Sequence, residues 1–193
     1  MSGLSHAEQV ELLSKGSATL IQLREKHMSA REFYEQARVA ARPGVRLIVN
    51  DRVDVALAIG AHGVHLGQDD MPPDAARRLL GLDAIIGYST HNIEQAVAAT
   101  KFPIDYLAIG PIFATMTKSD TAPVLGLDGL RTVREAIGDF PLVAIGGITH
   151  SNARDVIRNG ADSVAVISAL FSNSTGIIEA TRGFLQDLQD FPR

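Results

Sequence analysis

The amino-acid sequence predicts an α/β barrel of the TIM (β/α)8 type that lacks its first strand, and three observations predict it. Short apolar runs alternate with amphipathic helical patterns along the whole chain. Several of those runs are continuously apolar, as in parallel strands covered on both faces. Polar or glycine-rich sequence follows nearly every run, as expected when all the βα loops meet at one mouth. A doubly wound sheet, the other way to arrange parallel strands, would load only one or two switch points.

The elements follow in order. Ser5-x-x-Glu8 is a capping box, so a first helix begins near His6. Strands are then expected at Ala18–Gln22, Leu47–Val49, Val64–Leu66, Ile85–Gly87, Tyr106–Ile109, Leu142–Ile145 and Val164–Ile167. Helices are expected between them at Ala30–Ala41, Val53–Ile59, Pro73–Leu80, Ile93–Thr100, Leu127–Ile137, Ser151–Asn159 and Gly176–Leu188. Each strand-to-strand step spans roughly 20–35 residues, the size of a βαβ unit. No Pro/Ser-rich linker interrupts the beat, so residues 1–193 read as one domain. These strands number seven, where a closed barrel needs eight. Only Met1–Leu4 precede the first helix, too little for a strand and its loop. The shortage therefore falls at the N-terminus. Either the missing strand is encoded upstream of Met1, or the open edge is covered by the N-terminal segment or by a second copy in a homo-oligomer.

Composition narrows the function classes. Of 193 residues, 46% are hydrophobic and 21% charged, the balance of a folded domain with a buried core. With 18 Lys+Arg against 22 Asp+Glu the net charge is −4, so nucleic acid is not an expected partner. Cysteine is absent, which removes disulfides, thiolate nucleophiles and Cys-ligated zinc, and suits the cytoplasm. No basic stretch followed by an apolar one opens the chain, and no run of 18 apolar residues suggests a membrane span.

The strand-end junctions carry the chemistry. Gln22, Arg24 and Lys26 share one face of an extended chain and offer an amide and two cations to a phosphate or diphosphate, or else form a solvated loop. Asn50-Asp51 and Gln68-Asp69-Asp70 end the next two strands. Asp51 and Asp70 are candidate Mg²⁺ ligands, since that cation takes one or two carboxylates together with water and substrate phosphate. The competing reading makes them N-caps of the helices beginning near Val53 and Pro73. His65 reads as a satisfied core histidine, and His62, His91 and His150 have no zinc-ligand spacing. Ser89 lies at a fourth junction with small hydroxyls. A fifth runs from Gly110 to Gly126 without helical pattern and carries Thr115, Thr117 and Lys118, as a lid or binding loop would. Gly146-Gly147 after the sixth strand, with Ile167-Ser168 after the seventh, matches the phosphate-binding corner of many barrels.

Taken together, Gln22-x-Arg24-x-Lys26, Val49-Asn50-Asp51, His65-Leu66-Gly67-Gln68-x-Asp70, Ser89-x-His91, Gly110-Pro111-Ile112-Phe113-x-Thr115-x-Thr117-Lys118, Gly146-Gly147-Ile148 and Ile167-Ser168 resemble the thiamine-phosphate synthase family, in that family's order and over about residues 7–188. The resemblance implies Mg²⁺-dependent joining of 4-amino-5-hydroxymethyl-2-methylpyrimidine diphosphate to 4-methyl-5-(2-phosphoethyl)thiazole, with release of pyrophosphate. It implies that Gln22, Arg24, Lys26, Asn50, Ser89 and Lys118 hold the pyrimidine diphosphate. Within that set Arg24, Lys26, Ser89 and Lys118 would be catalytic. Asp51 and Asp70 would ligate Mg²⁺, and Thr115, Thr117, Gly147, Ile167 and Ser168 would hold the thiazole phosphate. Two other activities share parts of this layout: a thiazole tautomerase, against which Asn50, Asp51 and Asp70 argue, and a non-catalytic binder of thiamine phosphate.

Overall fold

A computed structural model describes residues 3–115, 123–171 and 176–189. Helix α1 (His6–Lys15) starts at the expected capping box, with the Ser5 side chain accepting from the Glu8 amide and Glu8 reaching back. The chain then alternates through β1 (Leu20–Leu23), α2 (Ala30–Ala40), β2 (Arg46–Asn50), α3 (Val53–Ile59), β3 (Gly63–Leu66), α4 (Pro73–Leu80), β4 (Ile85–Thr90) and α5 (Ile93–Ala99). It continues through β5 (Tyr106–Ile109), α6 (Gly126–Ile137), β6 (Leu142–Ile145), α7 (Ala153–Arg158), β7 (Ser163–Ala165), α8 (Ser168–Phe171) and α9 (Ile177–Gln189). All seven strands are parallel and follow one another in the order β1 to β7. This is a curled, open TIM-type sheet, seven-stranded as the sequence predicts.

The departures from expectation are at element ends, where hydrogen bonding overrides hydrophobic pattern. The first strand begins at Leu20 rather than Ala18, because the amides of Gly16, Ser17 and Ala18 close the end of α1 on Leu12, Ser14 and Leu13 carbonyls. β4 continues to Thr90, pairing Ser89 with Ala108 and Thr90 with Ile109, so Ser89 is a strand residue and not a loop residue. β7 stops at Ala165 because its partner β6 ends at Ile145 and the chain turns away at Gly146 (φ +90°). Val166 and Ile167 therefore leave the sheet. The short helix α8 that follows has no periodic signature in the sequence and starts with the Leu170 and Phe171 amides on the Ile167 carbonyl.

Two sets of side chains alternate along the strands. Leu47, Val49, Val64, Leu66, Ile86, Leu107, Ile109 and Leu142 point outward and are buried under the helices, against Phe33, Ala76, Leu130, Val133 and Val156. Burying each such aliphatic side chain stabilises the fold by roughly 1.5–3 kcal/mol. Ile48, Asn50, His65, Gly87, Ser89, Tyr106 and Ala108 form the other set and line the inside of the curl.

The helical ring closes where the sheet does not. Helix α1 packs on both α2 and α9, and Gly16 lies so close that a Cβ there would come within 2.5 Å of the Thr181 Cβ. Edge strands β1 and β7 flank the gap behind it. Their inner residues are uncovered: Leu20 is 50% exposed, and Gln22, Ser163 and Ala165 are exposed. A closed eight-stranded barrel would bury all four.

Below the sheet, two helices end in the same clamp. Arg77 on α4 donates to the Pro103 carbonyl, to backbone oxygens around Gly81 and Ala84, and to Asp105. Arg134 on α6 likewise donates to the Gly160, Gly138 and Phe140 carbonyls and to Asp162. Each aspartate also accepts the amide of the preceding strand, Ile86 or Leu142. A planar guanidinium with five donors ties a helix end, a loop and the next strand start together.

Candidate active site

The C-terminal ends of β1, β2 and β3 bring a cation and two carboxylates together. Lys26, three residues beyond β1, forms a salt bridge with Asp51, which follows β2. Asp51 occupies the left-handed region (φ +62°) at the centre of a γ-turn closed by the Arg52 amide on the Asn50 carbonyl. Its own amide donates to the His65 carbonyl (2.8 Å). Non-glycine residues accept this conformation at a cost, and such strain gathers at functional sites.

Asp70 approaches the same point from the loop after β3, its Oδ2 accepting the Gly67 amide at 2.7 Å. Burial pushes the Asp70 carboxyl above the usual carboxylate range; the neighbouring Asp51 adds to the rise, while the Gly67 amide and Lys26 oppose it. The helix-cap reading of both aspartates does not hold. Arg52 and Pro72 stand at the N-cap positions of α3 and α4, and neither helix has a side-chain cap. Two adjacent carboxylates with no structural task at a helix end suit a hard divalent cation completed by water and phosphate oxygens.

Asn50 sits beside them at the end of β2, buried, and its Nδ2 has no hydrogen-bond partner among the described residues. An unpaired buried amide donor is costly unless a ligand oxygen meets it. Arg24 follows β1 and is partly buried, and Gln22 lies on the inner face of the same strand. Ser89, on the inner face of β4, is 6% exposed. Gln68 donates to the Ser89 carbonyl at 2.6 Å and so ties the β3 loop to β4.

Across the mouth, the Gly146-Gly147 turn packs against the loop after β5. Phe113 donates to the Gly146 carbonyl, and a Cβ on Gly147 (φ +66°) would lie 2.7 Å from both the Ala114 oxygen and the Phe113 Cβ. Only glycine allows this approach. Thr115 follows Ala114 in the same loop, and Ile167 and Ser168 lead into α8. Thr117 and Lys118 lie outside the described residues.

One buried side chain does more than fill the core. His65 is buried and satisfied, as expected of a core histidine, yet its Nε2 bonds the Ser89 Oγ (2.8 Å) and its Nδ1 the Tyr106 hydroxyl (2.9 Å). The sequence signal was parity: in the parallel register, Asn50 pairs with His65, His65 with Gly87 and Gly87 with Tyr106, one row on the inner face.

These features define a phosphate-handling α/β barrel with an acidic pair, cations and a glycine corner around one mouth. Comparison with known proteins makes the assignment particular. The family model described as thiamine monophosphate synthase matches residues 2–170, and the chain belongs to that family. A thiamine-phosphate synthase of Chloroflexus aurantiacus is 53% identical over 172 residues, covering 87% of this chain and 79% of that one. One of Caldanaerobacter subterraneus is 43% identical over 195 residues, covering 98% and 89%. The solved structure of a thiamine phosphate pyrophosphorylase from Pyrococcus furiosus superposes with a TM-score of 0.85 at 40% identity, covering 95% of this chain and 89% of that chain. No helix among the described residues is long and apolar enough to cross a membrane.

Proposed function

We propose that this mouth joins 4-amino-5-hydroxymethyl-2-methylpyrimidine diphosphate to 4-methyl-5-(2-phosphoethyl)thiazole, forming thiamine phosphate and pyrophosphate. The observation that carries the reading is the meeting of Lys26, Asp51 and Asp70 at adjacent strand ends. Displacing pyrophosphate from the pyrimidine methylene needs positive charge already aimed at the departing oxygens, and no protein nucleophile. Arg24, Lys26 and Lys118 supply that charge. Asn50, Gln22 and Ser89 orient the pyrimidine diphosphate, the unpaired Asn50 amide donating to it. Thr115, Thr117, Gly147, Ile167 and Ser168 hold the thiazole phosphate and so set its ring nitrogen facing the methylene carbon.

Asp51 and Asp70 fit Mg²⁺ in number, chemistry and proximity. When bound, the ion neutralises the charge that gathers on the departing pyrophosphate. A cytoplasmic location suits the reading, since no residue of the site depends on an oxidised cysteine.

The test is thiamine phosphate formation from both substrates with and without Mg²⁺. We expect turnover that requires Mg²⁺, and we expect Asp51→Ala with Asp70→Ala to lose nearly all of it together with the Mg²⁺ response. Tight binding of thiamine phosphate without turnover would make the protein a binder. Isomerisation of the thiazole without use of the pyrimidine would make it a tautomerase, and undiminished activity of the double variant would remove the metal assignment.

A further inference from the structure

Inside the curl, three side chains from three strands form one hydrogen-bonded row. The Tyr106 hydroxyl on β5 bonds His65 Nδ1 on β3, whose Nε2 bonds Ser89 Oγ on β4. The His65 and Tyr106 rings stack with centroids 5.5 Å apart and planes at 28°. Gly87 makes the room: a Cβ there would stand 2.1 Å from the Tyr106 ring and 2.5 Å from His65 Nδ1.

The row has a sense. Burial pushes the Tyr106 phenol far above its ordinary range, so it keeps its proton and can donate it. A phenol is a stronger hydrogen-bond donor than acceptor, and an unprotonated imidazole nitrogen accepts. Tyr106 then donates its O–H to His65 Nδ1. With Nδ1 accepting, the neutral imidazole carries its hydrogen on Nε2 and donates it to Ser89 Oγ. Ser89 receives a hydrogen bond from behind, and its own hydroxyl hydrogen is left to point into the mouth.

We propose that His65 and Tyr106 are positioning residues for the reaction: they fix Ser89 as a donor toward the pyrimidine diphosphate. The inference rests on the placement of Ser89 in that subsite. Without the row, the Ser89 hydroxyl can turn inward and donate to the imidazole, and its hydrogen bond to the substrate is lost.

Steady-state kinetics of Tyr106→Phe, His65→Gln, His65→Leu, Ser89→Ala and the Tyr106→Phe/Ser89→Ala double variant test this. Ser89→Ala and Tyr106→Phe should each lower kcat by about tenfold, equivalent to one well-placed hydrogen bond of about 1.4 kcal/mol. KM for the thiazole phosphate, bound on the far side of the mouth, should not move. Tyr106→Phe should add nothing once Ser89 is alanine, because both changes remove the same donor. His65→Gln places an amide N–H where Nε2 stood and should retain most activity, whereas His65→Leu should not. Multiplying losses in the double variant would overturn the proposal, as would equal activity of His65→Gln and His65→Leu with both folded by circular dichroism. An unchanged Ser89→Ala enzyme would instead overturn the placement of Ser89 in the subsite, a separate failure.

Discussion

Asp70 is the residue at which folding and function pull apart. Its carboxyl is raised above the usual range by burial and by Asp51, so the fold favours its protonated form. A raised carboxylate contributes stability that is present at low pH and is lost as pH rises through its titration. At neutral pH the ionised Asp70 is therefore a liability in the metal-free protein. Asp70→Asn keeps an acceptor for the Gly67 amide and adds a donor for Asp51. We expect its thermal midpoint in EDTA to rise above that of the parent while activity falls to background. Mg²⁺ should raise the midpoint of the parent, because it binds the folded state, and should leave that of the variant where it was. Calorimetry in EDTA and in Mg²⁺ checks both, and a variant less stable than the parent without metal would contradict the argument. Residue identity at this site was legible in the sequence. Whether the two aspartates cap helices was not, since a cap depends on where the helix begins, and Arg52 and Pro72 hold those positions.

At the scale of the secondary-structure elements, the paired clamps at Arg77 and Arg134 tie helix ends to the starts of the next strands. Arg134 has a side chain only 21% exposed, and its removal takes the donor from three carbonyls and leaves Asp162 with the Leu142 amide alone among the described residues. We expect Arg134→Ala to cost about 2–3 kcal/mol and to lower the thermal midpoint by about 4–12 °C. Arg134→Lys should recover little, because one ammonium cannot span the same fork. The exposed Arg38–Glu35 pair is the contrast: Arg38→Ala should leave the midpoint unmoved within error. Thermal unfolding of the three variants decides, and equal losses at Arg38 and Arg134 would count against the clamp. Nothing in hydrophobic pattern announces these clamps. They depend on backbone carbonyls that local sequence does not mark. The strand and helix centres were legible because period 2 and period 3.6 survive in the sequence; the ends were not, because Ala18 and Ile167 are apolar residues whose hydrogen bonds go to helix ends and not to the sheet.

For the whole molecule, the open side between β1 and β7 sets a gradient of stability. The inner strands β3, β4 and β5 are buried almost throughout, whereas β7 alternates between exposed and half-buried, and β1 exposes every second residue. Edge strands with one neighbour open more easily than central ones. Native-state hydrogen exchange should therefore protect β3–β5 most and β7 least, and uniform protection across the sheet would show that the edge is covered in solution. The sequence by itself determined the parallel α/β class, the seven-strand count and the set of chemical groups at the strand ends, because periodicity and residue type are local properties. Tertiary structure alone decided which of those groups meet. Lys26, Asp51 and Asp70 converge because parallel register aligns the ends of β1, β2 and β3. His65 belongs to the site because the curl of the sheet turns its face inward onto Ser89 and Tyr106. Those contacts join residues distant along the chain, and only the closing of the strands upon one another brings them within hydrogen-bonding distance.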